Sequence, residues 1–237
     1  MVTERLTPAA VVWVLAAVVL LRYDVGWADV VRFTVLLGAG IMLPGTLCWR
    51  ALRGNTDGFA ADVAFGTGLG CVVSMLVYLP ARAAGVPLLG LAFPLGTVAA
   101  FLVVPRLRGC WRSAGPRVPA WWAWSVAGAC VAALAVTVRF EFSLDAVRFP
   151  AAAFQYVDLP YHLALAGELK HHVPPSIPYV AGEPLRYHWF AYAELATMSW
   201  QSGVELDVLL HRLVPLLYTV LPVLGVAALA TKLAARA

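Results

Sequence analysis

The chain has 237 residues, of which 62% are hydrophobic and only 13% are charged. A water-soluble domain is about half apolar and about a quarter charged. This composition therefore excludes an ordinary soluble enzyme and reads as a polytopic membrane protein. The net charge of +4 is no nucleic-acid signal, because the basic residues sit between apolar segments and form no aromatic-interleaved patch.

Taken in order, the first apolar run covers 7–21, short for a span unless it continues to the interfacial anchor Trp27. Arg22, Tyr23 and Asp24 follow it in place of a small-x-small cleavage site, so it does not read as a cleavable signal peptide. The second run, 31–49, ends at Arg50 and Arg53 and contains Pro44 and Gly45, which predict a kink. The third, 61–79, carries Gly66, Gly68 and Gly70, small residues that let helices approach closely. The fourth is 86–104, and a basic stretch with Arg106, Arg108, Arg112 and Arg117 and no acid follows it. The fifth, 121–138, opens on Trp121, Trp122 and Trp124. The last, 213–229, ends at Lys232 and Arg236. Cys48, Cys71 and Cys130 lie in or at the ends of apolar runs and Cys110 in the basic loop, which predicts no disulfide framework.

The expected fold is an all-α membrane helix bundle of about six transmembrane helices, with an extracytoplasmic helical loop between spans five and six. It divides into a five-span region (1–138), the loop with short interfacial helices (139–212), and the sixth span with its end (213–237). The arginines from Arg106 to Arg117 should be cytoplasmic by the positive-inside rule. Counting from them puts both termini in the cytoplasm and 139–212 outside an inner (plasma) membrane. The apolar part of that loop, 188–201, is short, holds Glu194 and follows Arg186, so it reads as an interfacial or re-entrant helix.

Within the loop, residues 154–192 form the longest polar-bearing stretch, and all five histidines lie in it or just beyond. Asp158 precedes Leu159–Pro160 and an apolar run, the pattern of a helix start. It is therefore either a plain N-cap or a reactive carboxylate. His162 lies one helical turn on and shares its face, so the pair could orient a base or hold a divalent ion, although two residues make a weak metal signal. Glu168 lies off that face and reads as solvated. Lys170, His171 and His172 suit a helix C-terminus. Pro174, Pro175 and Pro178 make a stiff extended run, and 181–184 is a turn. Arg186, Tyr187, His188 and Trp189 form a polar–aromatic cluster. Either they belong to an interface belt or they bind a sugar ring and a phosphate, with Arg186 open to a snorkelling role as well.

The strings DLPYHLAL (158–165), PPSIP (174–178) and GEPLRYHW (182–189), with the earlier LPG…RAL stretch (43–52), resemble large bacterial membrane proteins of the GT-C glycosyltransferase superfamily. The resemblance implies a multi-span helical enzyme that takes its sugar from a polyprenyl-phosphate donor. It also implies an acid in an extracytoplasmic loop as catalytic base or metal ligand, a role Asp158 would carry. Many members place paired acids after the first span, whereas here a single acid follows the fifth. Members usually have about ten or more spans, so six would correspond to an N-terminal portion, a truncated product or one half of a split enzyme awaiting a partner chain.

On this reading Asp158 and His162 are the catalytic candidates and Arg186, Tyr187 and His188 the substrate-binding ones, with no metal ligands assigned and a divalent ion as the one cofactor to consider. The competing expectation is a non-catalytic membrane component or scaffold of cell-envelope glycan assembly. A transporter fits least, because the predicted spans contain almost no ionisable residues.

Overall fold

The computed structural model describes residues 3–54, 58–114, 118–142, 158–180 and 182–234. Arg117, Ala181, Arg236 and the beginning of the polar stretch (154–157) lie outside the described residues. Among those described, regular structure is helical, and the one pairing of β type is an isolated bridge between Ser176 and Pro184. The elements are α1 (Thr3–Arg22), α2 (Trp27–Arg53), α3 (Phe59–Ala83), α4 (Pro87–Val103), a 3-10 turn (Pro105–Trp111), α5 (Ala120–Glu141), α6 (Leu159–His171), α7 (Phe190–Ser202) and α8 (Leu206–Ala234).

Four of these, α2, α3, α5 and α8, are long and apolar enough to cross a membrane. A fifth is obtained when α4 and the 3-10 turn, bent by 109°, are taken as one span. The apolar part of α1, Thr7–Arg22, is shorter. Side chains such as Val72, Leu76, Val136, Phe140, Val226 and Leu229 are each half or more exposed, an outward apolar surface that suits lipid. Each predicted apolar run is helical, with shifted ends. The first helix stops at Arg22 instead of continuing to Trp27, because Asp24 takes a left-handed conformation (φ 62°) and the Val25 amide turns back to the Leu20 carbonyl at 3.1 Å. The last begins at Leu206, so His211 and Arg212 belong to its first turns.

Proline explains two irregularities. In α2 a π-helical turn over Leu36–Met42 comes just before Pro44, and the Leu43 amide reaches five residues back to Gly38. Proline has no N–H, and its ring crowds the carbonyl four residues behind; a widened turn relieves both problems. The same device recurs in α8, where a π turn over Leu209–Leu213 precedes Pro215. The expected kink near Pro44 is thus absorbed within a continuous helix.

Glycines set the α2–α3 seam. A Cβ on Gly45 would stand 2.0 Å from the Gly66 carbonyl oxygen, one on Gly66 2.5 Å from Thr46 Cα, and one on Gly70 2.3 Å from the Ile41 carbonyl oxygen. The two backbones therefore touch, as small residues allow in membrane helices. Gly68 lies between Gly66 and Gly70 in sequence but not in the seam, since a Cβ there meets nothing within 4 Å.

Polar contacts collect at two ends of the bundle. At one end, Arg50 of α2 pairs with Asp62 of α3 and bonds to the carbonyls of Cys110 and Trp111. At the other, Arg82 of α3 bonds to the His171 carbonyl of α6, Tyr23 meets Phe142, and the Arg212 guanidinium lies 4.8 Å from the Phe142 ring centre. Asp62 and Arg82 are separated along α3 by about 30 Å at 1.5 Å per residue, the thickness of a bilayer's hydrocarbon core.

Candidate functional site

The site is built at the Arg82 end by α6, the hairpin after it, and α7. Asp158 stands at the N-cap position and Pro160 in the first turn of α6, while Leu165, Ala166 and Leu169 supply the buried face. The far end of α6 is closed by other elements. Tyr78, fully buried in α3, donates to the Leu169 carbonyl (3.0 Å), Trp200 Nε1 donates to that of Lys170 (2.7 Å), and Arg82 Nε to that of His171 (2.9 Å). These are carbonyls a helix end cannot satisfy itself. The cation at this terminus is therefore Arg82, from a distant helix, in addition to Lys170 and His171 of α6 itself.

Glu168 is not solvated. Its carboxylate accepts hydrogen bonds from the Ser176 amide (3.0 Å) and hydroxyl (2.5 Å) and from His172 Nδ1 (3.1 Å). Burial alone would raise its pKa, but the bonds from Ser176 and the neighbouring His172 outweigh burial and hold it below the ordinary value. This carboxylate pins the hairpin that follows. There the Ile177 amide bonds to the Glu183 carbonyl (2.8 Å), the Leu185 amide to that of Pro175 (3.2 Å), and Gly182 takes the left-handed conformation (φ 81°) its turn requires.

Asp158 is exposed, and its side chain makes no capping hydrogen bond. His162 Nδ1 lies 2.6 Å from the Tyr192 hydroxyl of α7, and the two rings stack with centres 5.5 Å apart. Burial pushes the Tyr192 phenol above its ordinary value, and Tyr187, Tyr161 and Asp158 push it further. A protonated phenol both donates and accepts, so the ring tautomer sets the direction of this bond. Asp158 thus lies within electrostatic reach of the His162–Tyr192 pair.

Around the pair runs an aromatic rim. Tyr161 stacks on Tyr179 (5.9 Å) and meets Tyr187 edge-on (5.9 Å), and Tyr187 lies 3.9 Å from His188. Arg186, Tyr187 and His188 are all exposed. Three of the five sequence candidates, His162, Tyr187 and His188, therefore join one aromatic network, with Asp158 beside it; among the described residues no side-chain hydrogen bond or ring contact ties Arg186 to it. Among the described residues no group of three or more His, Cys, Asp or Glu side chains is placed to hold a metal ion. His162 Nδ1 is engaged with Tyr192, and no step here is routed through a metal ion.

Further polar residues emerge only in three dimensions. Glu194 of α7 accepts a hydrogen bond from the Tyr218 hydroxyl of α8 and lies beside Cys71 of α3, while its other oxygen is buried with no hydrogen-bond partner among the described residues. Cys71 is about midway between Asp62 and Arg82 along α3, at about 14 and 17 Å by helical rise. Tyr218 also lines a cavity of about 430 Å3 between α5 and α8, with Thr137, Thr219 and Glu141. His211 lies near Arg212, Asp207 and His162, and its Nε2 is buried without a hydrogen-bond partner among the described residues. The available signal was a lone ionisable residue in an apolar run, which marks Glu194 and His211 but not their partners.

Fold and site together define a helical bundle with four to five helices long and apolar enough to cross a membrane and an aromatic-rimmed cluster at the Arg82 end. Comparison with protein-family models, with curated proteins and with solved structures finds no match.

Proposed function

We propose that the chain is a membrane glycosyltransferase-like protein of GT-C type, moving a sugar from a polyprenyl-phosphate donor at the extracytoplasmic face. The observation that carries this reading is the state of Asp158: an exposed carboxylate at a helix start, not spent on capping, beside a hydrogen-bonded His–Tyr pair and an exposed aromatic rim. Asp158 takes the proton of the acceptor hydroxyl as its oxygen bonds to the sugar's anomeric carbon. The bond from that carbon to the phosphate breaks, and its electron pair leaves with the polyprenyl phosphate. Arg186 receives the phosphate charge, and Tyr187 and His188 offer a ring face to the sugar. The His162–Tyr192 pair positions this end of α6 against α7.

The membrane frame of the proposal has six crossings, both termini in the cytoplasm, and the Asp158–Arg212 region outside. Basic residues at the Arg50 end and the bilayer-length separation of Asp62 from Arg82 support it. Within that frame α7 is re-entrant, because Glu194 sits beside Cys71 at mid-depth. The test is Asp158→Asn in the full-length protein, assayed in proteoliposomes for transfer from a polyprenyl-phosphate sugar. Loss of a general base lowers turnover by about 10²- to 10⁴-fold. Wild-type turnover in that variant would remove Asp158 from the chemistry. Absence of transfer in the wild type would favour the scaffold reading.

A further inference from the structure

The bent 3-10 turn at the Arg50 end has its own architecture. It is bent by 109° from α4, which suits a segment that turns into the plane of a membrane surface. Two of its residues close the end of α4: Arg108 Nε donates to the Leu102 carbonyl (3.0 Å) and Trp111 Nε1 to that of Phe101 (3.1 Å). Arg106 lies on the same turn and is exposed. It lines a cavity of about 390 Å3 together with Arg50, Ala51 and Gly54 from the end of α2 and Gly109 and Cys110 from the turn.

Arg50 forms the buried part of that wall, at 6% exposure. Its Nε bonds to Asp62 (2.8 Å) and its Nη1 to the Cys110 and Trp111 carbonyls (3.0 and 3.2 Å). A guanidinium has five N–H donors in a rigid fork; these bonds engage Nε and Nη1, and Arg50 also lines the cavity. Asp62 balances the charge of Arg50, and Arg106 adds a second cation among the lining residues. Small residues (Ala51, Gly54, Gly109) keep it open to a compact group.

We propose that this cavity binds the phosphate of an anionic membrane lipid. A basic pocket between helix ends at a membrane surface suits an anionic headgroup, and arginine pairs with phosphate through two parallel hydrogen bonds. The site lies at the opposite end of the bundle from Asp158 and does not depend on the transferase reading.

Native mass spectrometry of the full chain, stripped of lipid and titrated with phosphatidylglycerol, phosphatidylcholine or inorganic phosphate, tests it. The expected result is selective retention of phosphatidylglycerol, weakened about tenfold by Arg106→Gln, the loss of one charge-assisted contact. Arg32→Gln, which removes an exposed arginine of α2 away from the cavity, leaves it unchanged. Gly109→Trp adds bulk to the cavity wall while every arginine stays in place, at a position where a Cβ meets nothing within 4 Å; with its folding checked by circular dichroism, this variant should also lose the lipid. Should Arg106→Gln fail to fold, Gly109→Trp carries the test. Equal retention of the two lipids, unchanged binding in Gly109→Trp, or equal loss in Arg32→Gln overturns the site. Displacement of phosphatidylglycerol by millimolar inorganic phosphate overturns the lipid as its ligand in favour of the free anion.

Discussion

Replacing Asp62 with Ala strands the guanidinium of Arg50. The two side chains are 7% and 1% exposed and meet at 2.8 Å, so the pair is largely removed from water. Removing one partner of a buried pair costs about 3–5 kcal/mol. Arg50 keeps its bonds to the Cys110 and Trp111 carbonyls, which places the expected loss near the lower end, about 3 kcal/mol. Asp62→Asn retains an acceptor and should cost about 1–2 kcal/mol. The double variant Arg50→Leu, Asp62→Leu strands no charge and should be less destabilised than the sum of its single variants, with a coupling of about 2–3 kcal/mol. Unfolding of each protein in micelles, followed by circular dichroism, completes the cycle. An Asp62→Ala loss under about 1 kcal/mol, or a double variant equal to the sum, would refute the claim that this pair ties α2 and α3 to the basic turn.

Gly45→Val places a side chain where the Gly66 carbonyl oxygen already stands, at 2.0 Å from the Cβ position, so the α2–α3 seam must open. Gly68→Ala, pointing into open space, should leave yield and melting temperature unchanged, and size-exclusion profiles with thermal melts separate the two. Glu168 has a folded pKa below its unfolded value. Its contribution to stability is therefore fully present above the ordinary glutamate range and is lost as pH falls through the depressed folded value. Ser176→Ala removes the hydroxyl donor, moves that loss to higher pH and loosens the hairpin, seen as faster amide exchange at Ile177 and Leu185.

The helices were legible because their cause is local. An apolar run of sufficient length is a helix whatever surrounds it, and Asp158–Leu159–Pro160 marks the start of α6 from three residues. Helix ends were less legible: the left-handed turn at Asp24 and the π turn ahead of Pro215 answer to constraints that an apolar run does not reveal. For the candidate site, residue types could be picked out in the sequence but their partners could not. His162 was paired with Asp158, one turn away, but its hydrogen bond goes to Tyr192 on the next helix. Glu168 read as solvated because Ser176 lies beyond two prolines and reaches it only once the hairpin closes. Arg50 read only as the basic end of the second apolar run; its pairing with Asp62 arises from the glycine seam that draws α2 against α3.

The central claim is that the α6–α7 end faces the outside of the cell and the Arg50 end the inside. The direct measurement is cysteine labelling in intact cells, after replacement of Cys48, Cys71, Cys110 and Cys130. A single cysteine is then placed at the exposed Tyr179 of the hairpin or at Arg108 of the basic turn. A membrane-impermeant maleimide should label the Tyr179 position at once and the Arg108 position only after permeabilisation. Labelling of the Arg108 position in intact cells with protection of the Tyr179 position would invert the bundle and remove the extracytoplasmic site.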